Sequence, residues 1–466
     1  MIPKRDRDSG DGWWNVTGGL FRPIFVPDAF GEVVSGRAWL QAMLDAEGAL
    51  AVAEARVGLI PAGAAETIVG CCEADRFDAG EIGAGGRGAG NPVPALVRAL
   101  TAEVARASEE AARHVHKGAT SQDITDTAAM LVCGRSLDLI LAEVDGISAA
   151  CARLAEDHRE TLLPARTLLQ QALPTTFGLK TAGWLVSVLE ARRRLREVRA
   201  SGLAAQLGGA AGTLASLGDH GLAVGREFAL ELGLDEAPVP WHTSRTRISG
   251  VGAALSLLAG VLRKISQDVI LHAQTEVGEV AEPLAEGRGG SSTLPHKRNP
   301  VLCVTAAAGA RRVQDLCHTL QTAMSQEHER AAGAWHSEWE ALSEALALAG
   351  GAAANVREAT EGLEVHPERM RQNLDATKGM LLAENVTTVL SEKLGRLEAH
   401  DLVEAACRRA LEDNRHLRGE LLQDGRVRGA LSEEEIEAAL DPARYLGSAG
   451  AFVDRALELY RGEEPS

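Results

Sequence analysis

Proline is spread so unevenly along this chain that it sets the limits on what the chain can fold into. Four stretches, 95–163, 175–237, 301–366 and 368–441, contain none. Proline removes a backbone donor and clashes with the preceding turn, so long helices survive only where it is absent. The gaps permit such helices, and periodicity supplies the positive signal. Val251, Leu255, Leu258, Leu262, Ile265 and Val269 recur at three- and four-residue spacing, as do Leu137, Leu141, Val144, Ile147, Cys151 and Leu154. The spacing predicts a helix over 246–280, about 50 Å long at 1.5 Å per residue. No strand-like alternation of comparable length occurs. Aromatics make up only 3% of the residues, while alanine and glycine are plentiful, which suits closely packed helices. The expected fold is all-α, with a central bundle of unusually long helices whose apolar stripes are buried between subunits. A helical repeat array would need a fixed period, which is absent.

With 466 residues the chain is expected to form two or three domains. Boundaries fall near 112 and 365. Residues 1–112 read as an N-terminal helical domain with an irregular arm, which carries Trp13, Trp14, Phe21, Phe25 and Phe30. Residues 113–365 read as the central bundle. Residues 366–466 read as a C-terminal helical domain opened by the turn Val365-His366-Pro367. Lys plus Arg total 48 against 65 Asp plus Glu, a net charge of −17. That disfavours nucleic acid or an anionic membrane as partner, though a local cationic pocket for an anion stays possible. No run reads as a membrane span, and Met1 to Gly12 lacks a hydrophobic signal segment. Seven scattered cysteines without metal-ligand spacing point to a reduced, cytoplasmic setting with no metal centre and no cofactor.

Four clusters carry chemistry. Gly290-Ser291-Ser292-Thr293-Leu294-Pro295-His296-Lys297-Arg298-Asn299-Pro300 follows Gly287-Arg288-Gly289, so it lies on a glycine-rich loop. Lys297 and Asn299 suit a substrate carboxylate, and a serine beside them can take a proton from carbon. His116 to Asp123 places Thr120, Ser121 and Gln122 just before a predicted helix, where hydroxyls, amides and helix N–H groups bind carboxylates; a plain helix cap is the simpler alternative. Ala165 to Gly178 contains Arg166, Thr167, Gln170 and Gln171. Gln326-Glu327-His328-Glu329-Arg330 precedes Trp335-His336-Ser337-Glu338-Trp339, and Arg330 is a candidate carboxylate fork.

The first cluster resembles the signature loop G-S-S-x-M-P-x-K-x-N-P of the fumarase/aspartase superfamily, with Leu294 in place of methionine. The superfamily contains fumarases, aspartases, argininosuccinate and adenylosuccinate lyases, and 3-carboxy-cis,cis-muconate cycloisomerases. The segments at 116–123 and 326–339, with Gln41 to Glu47, Gly90-Asn91-Pro92 and Leu440 to Gly447, look like the cycloisomerase branch, and 165–178 looks like the superfamily segment G-R-T-H/W-x-Q-x-A-x-P. The resemblance implies a three-part all-α fold, a homotetramer whose active sites each draw on three subunits, and a small anionic di- or tricarboxylate substrate. It implies Ser291 as the base, with Ser292 as helper and Lys297 and Asn299 at the carboxylate. Asn91, Thr120, Ser121, Gln122, Thr167, Gln171, Gln206 and Arg330 would complete substrate binding.

Two departures bear on the reaction. Fumarases and adenylosuccinate lyases carry histidine where this chain has Leu168, and cycloisomerases carry one where it has Gln171. Without an imidazole acid, a poor leaving group cannot be protonated as it departs. The sequence therefore reads first as a lyase, eliminating from a succinate derivative to give fumarate and a leaving group stable as an anion; nitrosuccinate releasing nitrite is a candidate. The alternative is lactonisation of 3-carboxy-cis,cis-muconate, against which the missing histidine counts, since a proton must reach carbon. A non-catalytic structural relative is the third reading, and the complete signature loop argues against it.

Overall fold

A computed structural model describes residues 19–285, 289–290, 294 and 297–463. Among these the chain forms twenty α-helices and four short strands. The elements used below are α1 (Gly36–Arg56), α2 (Val93–Ala107), α3 (Ser121–Asp157), β1 (Leu162–Thr167), β2 (Gln170–Thr176), α4 (Phe177–Ser201), α5 (Gly221–Leu232), α6 (Thr246–His272), β3 (Val280–Ala281), α7 (Val301–Thr322), α8 (Ala334–Glu361), β4 (Glu364–Val365), α9 (Pro367–Asp375), α10 (Ala383–Leu394) and α11 (Arg396–Glu412). Five of them, α3, α4, α6, α7 and α8, run for 22 to 37 residues. Three of the four proline-free stretches carry long helices, α6 lies outside all four, and 368–441 forms no helix longer than 17 residues.

The chain divides into two compact units, each discontinuous in sequence: 1–144, 191–263 and 305–355 in the first, and 145–190, 264–304 and 356–466 in the second. In the first unit, Ser35 caps α1 by accepting the Ala38 N–H at 3.1 Å. Leu40, Leu44 and Leu50 of α1 are buried, and Phe228 of α5, which packs on α1, is fully buried. The segment around Phe25 and Phe30 forms two short helices, Arg22–Phe25 and Asp28–Glu32, rather than an irregular arm. It lies on Gly350 and Gly351 of α8, where a Cβ would overlap the Phe30 ring and the Phe25 carbonyl. Trp13 and Trp14 lie outside the described residues.

In the second unit, Val386, Leu390, Leu402, Val403, Leu417, Leu421, Val427 and Ile436 form a core beneath α10 and α11. A new helical segment does open at Pro367, the first residue of α9. One sequence expectation needs correction. Helix α6 ends at His272, not 280, because the Glu279 N–H turns back onto the His272 carbonyl (2.9 Å) and Gly278 takes a left-handed φ of +61°. Strands are also present. β1 and β2 pair antiparallel with Pro164 opposite Pro174. Two prolines in facing strands are what hid this hairpin from a pattern search.

Candidate active site

In the first unit, one buried carboxylate organises the start of α3. Asp123 accepts the backbone N–H groups of Thr120, Gly208 and Gly209, each at 2.9 Å, and pairs with His242 Nε2 at 2.7 Å. The turn before α3 and the glycine turn after Gln206 are thus tied to a single side chain. Thr120 and Ser121 are half-buried at the helix N-terminus, and neither hydroxyl has a hydrogen-bond partner among the described residues. A free hydroxyl pair at a helix start is a receptive place for a carboxylate.

Gln122 is buried and fully committed. Its Nε2 donates to Asp126 Oδ2 (3.0 Å) and the His242 carbonyl (2.8 Å), and its Oε1 accepts from Arg330 Nη1 (2.9 Å). Arg330 also donates to the Ala210 carbonyl at 2.8 Å. Gln122 therefore fixes Arg330, and part of the expected carboxylate fork is spent inside the protein. Gln206 is fully buried; its Oε1 accepts the Trp241 N–H at 2.9 Å and its backbone pairs with Thr127. Asn91 caps α2 by accepting the Val93 N–H at 3.1 Å. A Cβ at neighbouring Gly90 would come within 3.6 Å of His336 Nε2, so the Asn91 loop and His336 are near each other. The His336 ring lies against Trp335 and Trp339, with centroids 5.3 and 4.8 Å away.

Beneath this surface lie charges that sequence reasoning missed. Arg245 is held between Asp126 (2.7 and 2.9 Å) and Glu338 (2.6 and 3.0 Å), all three buried. Trp335 Nε1 donates to Asp126 Oδ1 at 2.9 Å. A second buried group is Glu54 on α1, whose two carboxylate oxygens have no partner. Burial pushes its pKa up to about 8, against the pull of Lys117. The folded protein therefore keeps a proton on Glu54 that the unfolded chain sheds near pH 4.5. Stability falls as pH rises from there to about 8 and levels off once both states are ionised. Glu54→Gln should raise unfolding free energy by roughly 3 kcal/mol at neutral pH, and less in acid. Denaturant melts across pH check this; a pH-independent difference between the two proteins would contradict it.

In the second unit the hairpin carries Arg166, Thr167 and Gln171. Leu168 and Leu169 form its two-residue tip, both at positive φ (51° and 66°), and are 97% and 73% exposed. That conformation usually selects asparagine or glycine. The position where fumarases carry histidine thus presents bare apolar surface here. Thr167 is exposed beside it. Arg166 and Gln171 face each other across the strands. Arg166 forks onto Glu279 (2.7 and 2.9 Å), which also takes His272 Nδ1 (2.5 Å) and Asn373 Nδ2 (2.8 Å). Burial opposes charge on Glu279, but hydrogen bonds from His272, Arg166 and Asn373 outweigh it and bring the pKa down to about 2. Gln171 Nε2 donates to the Asn373 carbonyl at 3.0 Å. A backbone carbonyl can only accept, so this bond fixes the Gln171 amide orientation.

The base of the signature loop is pinned. Both the backbone N–H and the side-chain amide of Asn299 donate to the Gly289 carbonyl, at 2.9 and 3.1 Å. Gly289 has φ +67°, and a Cβ there would sit 2.8 Å from the Asn299 carbonyl oxygen. Arg298 forks onto Glu364 (2.7 and 2.9 Å), and Glu282 accepts the Leu302 and Cys303 N–H groups at the start of α7. Asn299 therefore closes the loop in this structure. The Lys297 side chain is exposed, and its ammonium has no partner among the described residues. Ser291 and Ser292 lie outside those residues.

Known proteins resemble the chain along nearly its whole length. The profile of the lyase family matches residues 26–315, and that of the adenylosuccinate lyase C-terminus matches 379–456. A 3-carboxy-cis,cis-muconate cycloisomerase of Bradyrhizobium diazoefficiens is 47% identical over 94% of this chain and 97% of the relative. A nitrosuccinate lyase of Streptomyces davaonensis is 46% identical over 95% of each. The crystal structure of 3-carboxy-cis,cis-muconate lactonizing enzyme from Pseudomonas putida superposes with a TM-score of 0.90 at 44% identity, covering 95% of this chain and 99% of that one. With the signature loop, the helical fold and these relatives together, the chain belongs to the fumarase/aspartase superfamily of lyases.

Proposed function

We propose that this protein is a lactonising 3-carboxy-cis,cis-muconate cycloisomerase, with nitrosuccinate-type elimination as the second reading. The relatives reverse the order in which the sequence ranked the two. Cycloisomerases of Bradyrhizobium diazoefficiens and Pseudomonas aeruginosa both match at 47% identity over 94% of the chain. The absent imidazole does not count against lactonisation once the reaction is read backwards. Ring opening removes a proton from the carbon next to a carboxylate and expels a second carboxylate. That leaving group is a stable anion and needs no acid. By microscopic reversibility, the group that takes the carbon proton in one direction returns it in the other, so Ser291 suffices for both. In the forward direction a carboxylate oxygen bonds to the alkene carbon. The π electrons move toward the neighbouring carboxylate, giving an aci-carboxylate held by lysine and hydroxyl donors. The serine hydroxyl then protonates carbon and regains a proton from solvent.

The observation that carries this reading is the near full-length match to cycloisomerases, and the acid-free hairpin is compatible with lactonisation while disfavouring poor leaving groups. Leu168 is exposed and Gln171 is a neutral amide pinned to a backbone carbonyl. Fumarase- and aspartase-type leaving groups, hydroxide and ammonia, are poorly served by such a site. Gln171 standing where cycloisomerases carry histidine is what keeps nitrosuccinate elimination as the second reading, alongside the relative of that name. Assay with 3-carboxy-cis,cis-muconate should give lactone with kcat/KM of about 10⁴ M⁻¹s⁻¹ or higher. Nitrite release from nitrosuccinate at that efficiency, with no lactone formed, would select the second reading. Gln171→His should not speed the native reaction, because neither reaction needs an acid at the leaving group; a clear gain in kcat would show that it does.

A homotetramer with shared sites belongs to the same proposal. The most apolar window of α6 has a mean hydropathy of 1.5, and only half of it is buried within the chain. Helix α6 is long and apolar enough to span a membrane by composition, contrary to the sequence expectation. We assign its open face to subunit packing, since a bundle of long helices buries such stripes against copies of itself. Light scattering that gives a monomer would contradict this.

A further inference from the structure

The turn that delivers Thr120 and Ser121 to the start of α3 sits over four ionisable side chains, two of them its own, and is tied down through His116 and Lys117. His116 Nδ1 pairs with Glu47 Oε1 at 2.7 Å, and Lys117 Nζ donates to the Leu59 carbonyl at 3.0 Å. Glu47 is 2% exposed and Glu54 is 0% exposed, one face of α1 apart by two helical turns. The second oxygen of Glu47 and both oxygens of Glu54 are buried without a partner. The turn itself is strained: His116 has φ +59°, a region that costs a non-glycine residue energy, and Gly118 has φ +76° with the Leu217 side chain filling the space of its missing Cβ. A strained turn persists only where its surroundings hold it, and here the holders are charged groups.

We propose that the partly buried Glu47–His116–Lys117–Glu54 cluster is the positioning device of the carboxylate-binding turn, holding Thr120 and Ser121 for an anionic substrate and releasing them when Glu54 acquires charge. The proposal rests on the reading of Thr120 and Ser121 as carboxylate ligands. While Glu54 is neutral, the Lys117 ammonium bonds the Leu59 carbonyl and Glu47 keeps His116. Burial works against protonation of His116, but the charge of Glu47 and its hydrogen bond outweigh that and raise the pKa. An ionised Glu54 would be the strongest partner available to Lys117, and would repel Glu47. Lys117 is three residues from Thr120, so its displacement reaches the site directly.

The surroundings offer little competing charge. Asp123 stands beyond His116 and is engaged by His242 and three backbone N–H groups. Helix α5, packed on α1, spends Glu227 and Glu231 on Arg56, and the neighbouring helix Ala62–Val69 carries only the exposed Glu66. Cys72, beside Glu47, stays a thiol because burial pushes its pKa up. Glu54 therefore titrates near pH 8 against Lys117, Glu47 and His116.

The test compares wild-type protein with Glu54→Gln, which keeps the shape of the side chain and removes its titration. Two readouts are needed, at about pH 7 and about pH 9. The first is backbone hydrogen exchange across residues 113–123, with wild-type rates divided by those of the variant so that the intrinsic pH effect cancels. The second is KM and kcat with 3-carboxy-cis,cis-muconate. The expected result is a ratio near one at the lower pH and at least about fivefold at the higher, with wild-type KM rising about fivefold, kcat little changed, and the variant flat. A ratio that does not change with pH overturns the proposal. A loosened turn with unchanged KM also overturns it, and does so by removing Thr120 and Ser121 from substrate binding. If Glu54→Gln folds poorly, His116→Gln replaces it: exchange across 113–123 should already be fast at neutral pH, and normal protection there would overturn the proposal.

Discussion

Replacing Ser291 by alanine lowers kcat by about a hundredfold or more while leaving KM for the carboxylate substrate within a few-fold of wild type, the pattern of lost proton transfer with binding retained. The expectation follows from the division of labour. In the proposed mechanism the serine of the signature loop transfers the proton to or from carbon, and carboxylate binding is assigned to groups elsewhere, among them Thr120 and Ser121, whose hydroxyls have no partner among the described residues. Single-turnover kinetics with purified Ser291→Ala checks this. An unchanged kcat would remove Ser291 from the mechanism and move attention to Ser292.

Replacing Arg245 by methionine is expected to cost on the order of 3–5 kcal/mol of stability. Arg245 is the shared cation between Asp126 and Glu338, all three buried. Burial raises the pKa of Glu338, and Arg245 works against that rise. Without the guanidinium, two buried carboxyl groups face each other uncompensated, and Asp126 loses the partner that lets it hold Gln122 and Trp335. Adding Asp126→Asn and Glu338→Gln to Arg245→Met should recover a large part of the loss in denaturant melts. No recovery would mean that the arginine acts through packing alone.

The long helices were legible because proline gaps and apolar stripes report directly on backbone and core. Val251, Leu255 and Leu258 are fully buried, as their spacing required. The gaps overstate helix length where polar turns intervene. Residues 301–366 lack proline, yet α7 ends at Thr322 and α8 begins at Ala334, with Gln326 to Arg330 in the break. The candidate site was legible where motifs are contiguous, as in Thr120 to Asp123. It was not legible where buried charges from distant segments meet. Glu279 gathers Arg166, His272 and Asn373 from three parts of the chain, the last 94 positions away. A single sequence cannot distinguish such a carboxylate from a surface one. Glu54 was hidden for the same reason, as one of several polar residues in a helix that also carries Gln41, Asp45 and Glu47. Asn299 shows a different limit: the motif names the residue, but only the structure shows its amide closing the loop.

Proton stoichiometry tests the central claim most directly. Lactonisation converts one carboxylate of 3-carboxy-cis,cis-muconate into an ester and adds a proton to carbon, so each turnover takes one proton from solvent. Elimination from nitrosuccinate does the reverse, because the proton removed from carbon is released with nitrite, an anion at neutral pH. A pH-stat titration with each substrate, normalised to product formed, reads the sign without further assumption. The account predicts rapid uptake of one proton per lactone formed, and little turnover of nitrosuccinate. Absence of uptake with 3-carboxy-cis,cis-muconate, together with rapid release of one proton per nitrite from nitrosuccinate, would contradict it.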